Sequence, residues 1–387
     1  MRVSTVHPIS SFQPALHSLR GLSALAVFFF HWEQFFPHAC AWIQQFVAAD
    51  TLLDPTVYIG FGWMGVPLFF ILSGWLLGGQ VLSNKNSTRF AVRFWLRRLL
   101  RIYPAVWAEL LILACLGVVI DGLISSANRE TMHLQFLLWI NLPPQMAQPL
   151  NLVWWTLPVE LSFYLLLPLV GRLASLGDWK ILLAVACLVT FGWRWWIFSS
   201  HDVTNYLDLL PVMDSLPGVL FTFALGFSLN YLPVNLSPVI RVLGFYIGIS
   251  ALLILMSWQL ALNEVYWTGH WILVVWTPLV AICIAMLVYS LRSPMPGFRW
   301  LEGSAPVWLG HVSFGIYLWH FQVMRIMVLL SPDIWNSPIS SVLALFIALP
   351  VTLVLAAGSF YFVERPVIEA GRRWLSSARQ ERMEASS

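Results

Sequence analysis

Charge is what this 387-residue sequence has least of. Asp, Glu, Lys and Arg make up 10% of it, and hydrophobic residues 59%. A water-soluble domain carries about 25% charged residues, so a large soluble domain is excluded. Cysteine is scarce as well: Cys40, Cys115, Cys187 and Cys283 are scattered, with no Cys-x-x-Cys spacing. Neither a disulfide framework nor a metal site is expected. The phosphate-binding loop, the His-Glu-x-x-His pattern and the Gly-x-Ser-x-Gly elbow are all missing, and each would have announced a soluble enzyme class. The net charge is only +3, and nothing in the chain points to nucleic acid as a partner.

What is present is a series of long apolar runs. A spanning helix needs about 20 apolar residues. Ten runs qualify: Leu16–Phe36, Tyr58–Leu82, Leu99–Ile120, Leu152–Val170, Ile181–Phe198, Leu216–Leu232, Val239–Leu260, Trp271–Leu291, Val307–Leu330 and Ser341–Phe362. The run Leu134–Leu142 is too short to cross and reads as a re-entrant or interfacial piece,. The first run reads as an uncleaved span, because it has no small-residue cleavage pattern,.

Charge placement tests this count. With ten spans, the odd-numbered loops hold Asp121, Glu130, Asp202, Asp208, Asp214, Glu264 and Asp333. The even-numbered loops hold the run from Lys85 to Arg101, then Arg172, Lys180, Arg241, Arg292 and Arg299, and the tail adds Arg365, Arg372, Arg373, Arg379 and Arg382. The positive-inside rule then puts both termini in the cytoplasm. The expected fold is an all-α integral-membrane, polytopic bundle of about ten transmembrane helices. Residues 1–365 would form the membrane domain and 366–387 a basic cytoplasmic tail, with the cell's inner (plasma) membrane as the location. The 22 Trp are mostly interfacial anchors on this reading. The clusters Trp154-Trp155 and Trp193–Trp196 also suit stacking on a sugar.

Several polar residues interrupt the apolar runs. Arg20 and His31 lie eleven residues apart, which on a helix is within about 20° of one face and about 16 Å of rise. Charged groups inside a membrane face a protein interior or a wet cavity, and imidazole can take and return a proton near neutral pH. A buried structural His is the competing reading. In the run into the third span, Lys85, Arg89, Arg93, Arg97 and Arg101 recur every four residues, with Arg98 beside them. Topology signalling and anionic lipid explain the first three. Arg97, Arg98 and Arg101, at the membrane entrance, suit a phosphate-bearing cytoplasmic ligand, because Arg forks grip phosphate oxygens.

Glu160 is a carboxylate within the fourth span. It could orient His31, hold a proton, grip a substrate hydroxyl, or pair with a buried Arg. In the ninth span Ser313, Tyr317 and His320 share one face; Ser313 suits interhelical packing and the other two suit substrate contact. Gly65, Gly74, Gly78, Gly310 and Gly315 suit close helix packing. A catalytic Ser73 would require an adjacent base. Glu364-Arg365 reads as a structural ion pair.

The segments LRGLSALAVFFFH, GVPLFFILSGWLL, RRLLRIYP, WTLPVELSFYLLLP, SFGIYLWHF and YFVERP together resemble the signature blocks of the membrane acyltransferase-3 family, in the family's order. The family O-acylates exported carbohydrates and some small molecules. The resemblance implies that Arg20 and His31 are its Arg-x10-His pair, Arg98 and Arg101 its Arg-x-x-Arg, and Glu160 its helix-four acid, with Tyr164 a substrate contact in the same block. There are departures. His17 stands where members often carry Asp, Leu161-Ser162 where Glu-Gln is common, and His311 where an Arg is often found.

The resemblance implies an integral-membrane O-acyltransferase moving an acyl group, expected to be acetyl, from cytoplasmic acyl-CoA to a hydroxyl of a carbohydrate or glycolipid acceptor. His31 would be the general base. No cofactor is bound permanently, acetyl-CoA being a substrate. The lipid bilayer is the surrounding partner, and a separate extracytoplasmic transfer protein would finish the reaction where one is required. The alternative is a proton-coupled transporter of a glycan or lipid-linked precursor, which also uses buried Arg, His and Glu. The absence of an internal repeat speaks against it.

Overall fold

A computed structural model describes residues 13–84, 88–143, 146–176, 178–201, 206–233 and 236–384. Among the described residues the structure is helical, without β-strands. The long helices are α1 (Pro14–Phe35), α2 (Gly65–Ser83), α3 (Thr88–Leu116), α4 (Thr156–Leu176), α5 (Trp179–Ser200), α6 (Leu216–Ser228), α7 (Pro238–Ala261), α8 (Ile272–Ser290), α9 (Ser304–Leu330), α10 (Pro338–Gly358) and α11 (Arg365–Glu384). Among the described residues eight helical segments are long and apolar enough to cross a membrane. Two of the expected spans fall outside that set for visible reasons. The α1 helix spends positions on His17, Arg20, His31, Glu33 and Gln34, and α6 has only 13 residues.

The chain divides into two compact units. The first holds Met1–Lys85 and Val159–His311, and the second Asn86–Pro158 and Val312–Ser387. In the first unit, close helix contact is set by glycine as the sequence suggested. A β-carbon on Gly74 of α2 would collide with the Phe223 carbonyl oxygen of α6, and one on Gly226 of α6 would collide with the Ile71 carbonyl oxygen of α2. Without side chains at these two positions the backbones touch, and the rotation of α2 about its axis is fixed. Phe163 of α4 stacks on Phe223 at 4.0 Å between ring centroids, which brings α4 against the same pair.

The core of this unit also holds a buried ion pair. Arg194 of α5 pairs with Asp214, and both are nearly inaccessible. The reason for an arginine here lies in α8. Pro278 interrupts that helix and has no N–H to give the carbonyl of Val274 four residues earlier. Arg194 Nε donates to the Val274 oxygen at 3.0 Å and to the Leu273 oxygen at 3.1 Å. The guanidinium therefore replaces the bond that proline removes.

In the second unit the segment after α3 contains only short helices among the described residues. A short helix, Met132–Leu137, ends at Leu138, whose φ is +52°. The last carbonyls of that helix are met by α3: Tyr103 Oη donates to Leu137 O at 2.9 Å, and Trp107 Nε1 donates to Phe136 O at 3.0 Å. Tyr103 lies thirteen residues before the end of α3, a rise of about 20 Å. The segment thus dips back alongside α3, and side chains supply the hydrogen bonds its irregular backbone lacks in lipid. Gln135 and Gln322 continue the pattern, receiving Leu150 N at 2.9 Å and donating to Leu150 O at 3.1 Å respectively.

At the far end of the unit α10 passes through a π-turn, Ser359–Glu364, into α11. The Glu364-Arg365 pairing expected from sequence gives way to another arrangement. Arg365 Nε bonds Glu369 Oε1 at 2.8 Å, and the buried Glu364 accepts from Ser359 at 3.2 Å. Adjacent helical residues point about 100° apart, so the i,i+4 partner is the reachable one.

Candidate active site

Within the first unit, Arg20 and His31 share a face of α1 as their spacing predicted. That face is the buried one: Leu16, Ser23, Ala24, Val27 and Phe28 surround it. Arg20 and His31 nevertheless keep partial exposure as whole residues. His31 Nδ1 lies 3.0 Å from the Val27 carbonyl oxygen. A carbonyl only accepts, so Nδ1 carries the proton and Nε2 of the neutral ring keeps its lone pair. The i−4 carbonyl thereby selects the tautomer in which Nε2 can act as a base.

Glu160 has a different neighbour. Ser73 Oγ donates to Glu160 Oε1 at 2.7 Å, joining α2 to α4. Helix register separates this pair from His31. A β-carbon on Gly65 would sit 2.6 Å from the Ser23 oxygen and 3.1 Å from Val27 Cγ2, so Gly65 is level with Ser23–Val27. From there α2 descends eight residues to Ser73, about 12 Å, while α1 rises about 9 Å in the opposite sense to His31. Leu16 packs in one cluster with Ile71 and Leu72, which agrees. Glu160 and Ser73 therefore lie near the level of Arg20, roughly 20 Å along the axis from His31. Of the roles sequence left open for Glu160, this geometry favours gripping a hydroxyl over orienting His31. Tyr164, one turn further along α4, is buried.

The second unit holds the other candidates. Arg97, Arg98 and Arg101 are all half-buried on α3, and the Arg98 guanidinium sits 5.7 Å from the centroid of the Phe94 ring. Ser313, Tyr317 and His320 are buried on α9. Tyr317 Oη donates to Val153 O at 2.9 Å and meets Thr156 Oγ1 at 3.0 Å. Its hydroxyl anchors the start of α4. His320 Nδ1 is 2.9 Å from the Ile316 oxygen, the arrangement seen at His31. Gly315 packs against Ala356 of α10, with Cα only 2.7 Å from a β-carbon placed there.

Sequence reasoning missed one buried carboxylate in this unit. Glu109 of α3 is fully inaccessible. It accepts from Asn151 Nδ2 at 2.6 Å and from Trp154 Nε1 at 2.9 Å, and Asn151 Nδ2 also reaches the Leu318 oxygen of α9 at 2.8 Å. The signal was available: Glu109 follows Arg98 by eleven residues, the same face-sharing interval as Arg20 and His31. Among the described residues no cluster of His, Cys, Asp and Glu could hold a metal.

The model of the acyltransferase-3 family, described as "Acyltransferase domain", matches residues 13–357. The chain belongs to the acyltransferase-3 family. Similar proteins include the peptidoglycan O-acetyltransferase OatA of Listeria monocytogenes, 22% identical over 92% of this chain and 56% of the relative. A putative acetyltransferase of Acidianus two-tailed virus is 27% identical over 82% and 85%. The acyltransferase MdmB of Streptomyces mycarofaciens is 28% identical over 81% and 79%. The chain spans 56% of the length of the Listeria relative. No solved structure matches. With its apolar helices, this acyltransferase-3 member is a membrane protein of a family of acyltransferases.

Proposed function

We propose that the protein is an O-acetyltransferase of the inner (plasma) membrane, with ten spans, both termini in the cytoplasm, a membrane domain over residues 1–365 and a cytoplasmic tail over 366–387. It takes an acyl group, acetyl in the simplest case, from cytoplasmic acyl-CoA and passes it to a hydroxyl of a carbohydrate or glycolipid. A separate extracytoplasmic protein completes transfer where the acceptor lies beyond the membrane. Relatives named O-acetyltransferases support the chemistry. The observation that carries the residue assignment is His31: an imidazole on the buried face of α1, in line with Arg20, with Nδ1 committed to Val27 O.

Each residue then has a role. Arg97, Arg98 and Arg101 bind the phosphates of the donor. Arg20 adds a cation on the His31 face. His31 Nε2 removes the proton from the acceptor hydroxyl as its oxygen attacks the thioester carbonyl, and returns that proton to the departing thiolate. Such assistance is worth about 10²–10⁴-fold in rate. Glu160, with Ser73 and Tyr164 beside it, is a catalytic carboxylate that holds a substrate hydroxyl near the level of Arg20. Tyr317, His320 and Ser313 shape the acceptor side.

The test is transfer of labelled acetate from acetyl-CoA by the purified protein in nanodiscs, with an envelope glycan fraction as acceptor. The expected result is transfer by the wild type and none by His31→Ala inserted at the same level. Full activity of His31→Ala sinks the base assignment. A wild type that moves labelled glycan but never acetate would make it a transporter.

A further inference from the structure

The basic tail was set apart from the membrane domain on composition, yet the start of α11 packs on the basic segment of α3. Gly371 makes this possible. A β-carbon there would lie 2.6 Å from Leu100 Cδ1, so a larger residue would have to push the Leu100 side chain aside. The π-turn at Ser359–Glu364 leads into α11 and packs on α3 together with it, and such turns recur at functional sites. Arg372 follows Gly371 directly and is exposed to solvent.

Three guanidinium groups come within electrostatic reach of one another as a result. The charges that act on Arg97 are those of Arg93, one turn away on α3, and Arg372 from α11, and both are positive. Among the described residues none of the three has a hydrogen bond or an ion pair. The nearest acid on α11, Glu369, is engaged by Arg365. Like charges an i,i+4 step apart already destabilise a helix, and a third cation adds to that repulsion. Among the described residues Glu369, held by Arg365, is the one carboxylate on α11 whose charge reaches Arg372, so three forked cations, open on the cytoplasmic side of the proposed topology, retain a surplus of positive charge suited to an anion with several oxygens.

We propose that Arg93, Arg97 and Arg372 form a second phosphate subsite, which takes the 3′-phosphate of the acyl-CoA ribose. This rests on the acyl-CoA reading above. Coenzyme A carries two phosphate groups at separate places, a 5′-diphosphate and a 3′-monophosphate. Arg98, on a neighbouring face of α3, and Arg101, one turn beyond Arg97, are left for the diphosphate. The site would let the enzyme distinguish acyl-CoA from donors that carry only the phosphopantetheine portion, such as acyl groups on a carrier protein.

The experiment is a binding titration of the full-length protein in zwitterionic nanodiscs, with CoA and with 3′-dephospho-CoA. The wild type should bind CoA about tenfold or more tighter, the worth of a charge-assisted contact. Arg372→Gln should erase that preference by weakening CoA and leaving 3′-dephospho-CoA unchanged, whereas Arg98→Gln should weaken both. Equal binding of the two ligands by the wild type overturns the proposal. So does equal weakening of both by Arg372→Gln. An effect of Arg372→Gln that needs anionic lipid in the disc makes the cluster a lipid headgroup site instead, which also overturns it. Selective CoA binding without acetyl transfer would sink the catalytic reading and leave this subsite standing.

Discussion

Removing the carboxylate of Glu109 is expected to destabilise the second unit by an amount the geometry allows to be worked out. Both carboxylate oxygens accept from N–H donors: Asn151 Nδ2 on one, Trp154 Nε1 on the other. In Glu109→Ala the indole N–H loses its acceptor in a site without solvent, which costs about 1–3 kcal/mol. Asn151 keeps Leu318 O but loses its bond to the carboxylate, and the deleted atoms leave a void, which together add about 2–3 kcal/mol. The total is about 3–6 kcal/mol. Glu109→Gln is the sharper probe. Its oxygen can serve one donor, while its amide N–H groups then confront the other, at about 1–3 kcal/mol. Adding Trp154→Phe removes the confronted donor, so the double variant should recover about 1–2 kcal/mol relative to the sum of the singles. Thermal unfolding of the purified proteins in one detergent reads all four. Additive losses, or a Glu109→Gln protein as stable as the wild type, would refute the network as the reason for the buried acid.

Arg194→Leu should cost about 3–5 kcal/mol, because it strands the buried Asp214 and uncaps the carbonyl freed by Pro278; pairing it with Asp214→Asn should restore part of the loss, and thermal unfolding of the pair checks it. Gly74→Val should separate α2 from α6 and take Ser73 away from Glu160. A protein that melts and transfers acetate like the wild type would show that the backbones do not need this contact. Gly371→Leu should leave folding of the first unit intact yet lower CoA affinity by moving Arg372 off α3, read in the same titration as Arg372→Gln.

Much was legible in the residues. Apolar runs and the scarcity of charge announce a helical membrane protein without tertiary information, since lipid leaves the backbone no other way to satisfy itself than helices or closed barrels. Eleven-residue spacing was enough to predict the shared face of Arg20 and His31, and glycine was enough to predict close packing at Gly74 and Gly315. The short run after α3 was too short for a long helix, and the structure gives it a helix of six residues.

Pairings between distant residues were a different matter. Glu160 could have faced His31, an Arg or a substrate; its Ser73 partner depends on α2 being rotated by the Gly74 and Gly226 contacts. Glu109 looked like one acid in an apolar span until Asn151 and Trp154 were brought to it by the returning segment. The tail was a basic stretch in composition, and only the π-turn and the packing of Gly371 on Leu100 set Arg372 beside Arg97. Local spacing determines which side chains share a helix face, because the helical repeat is constant. Which faces meet, and at what depth, is decided by side-chain volume at contacts far apart in the chain, which only the tertiary structure displays.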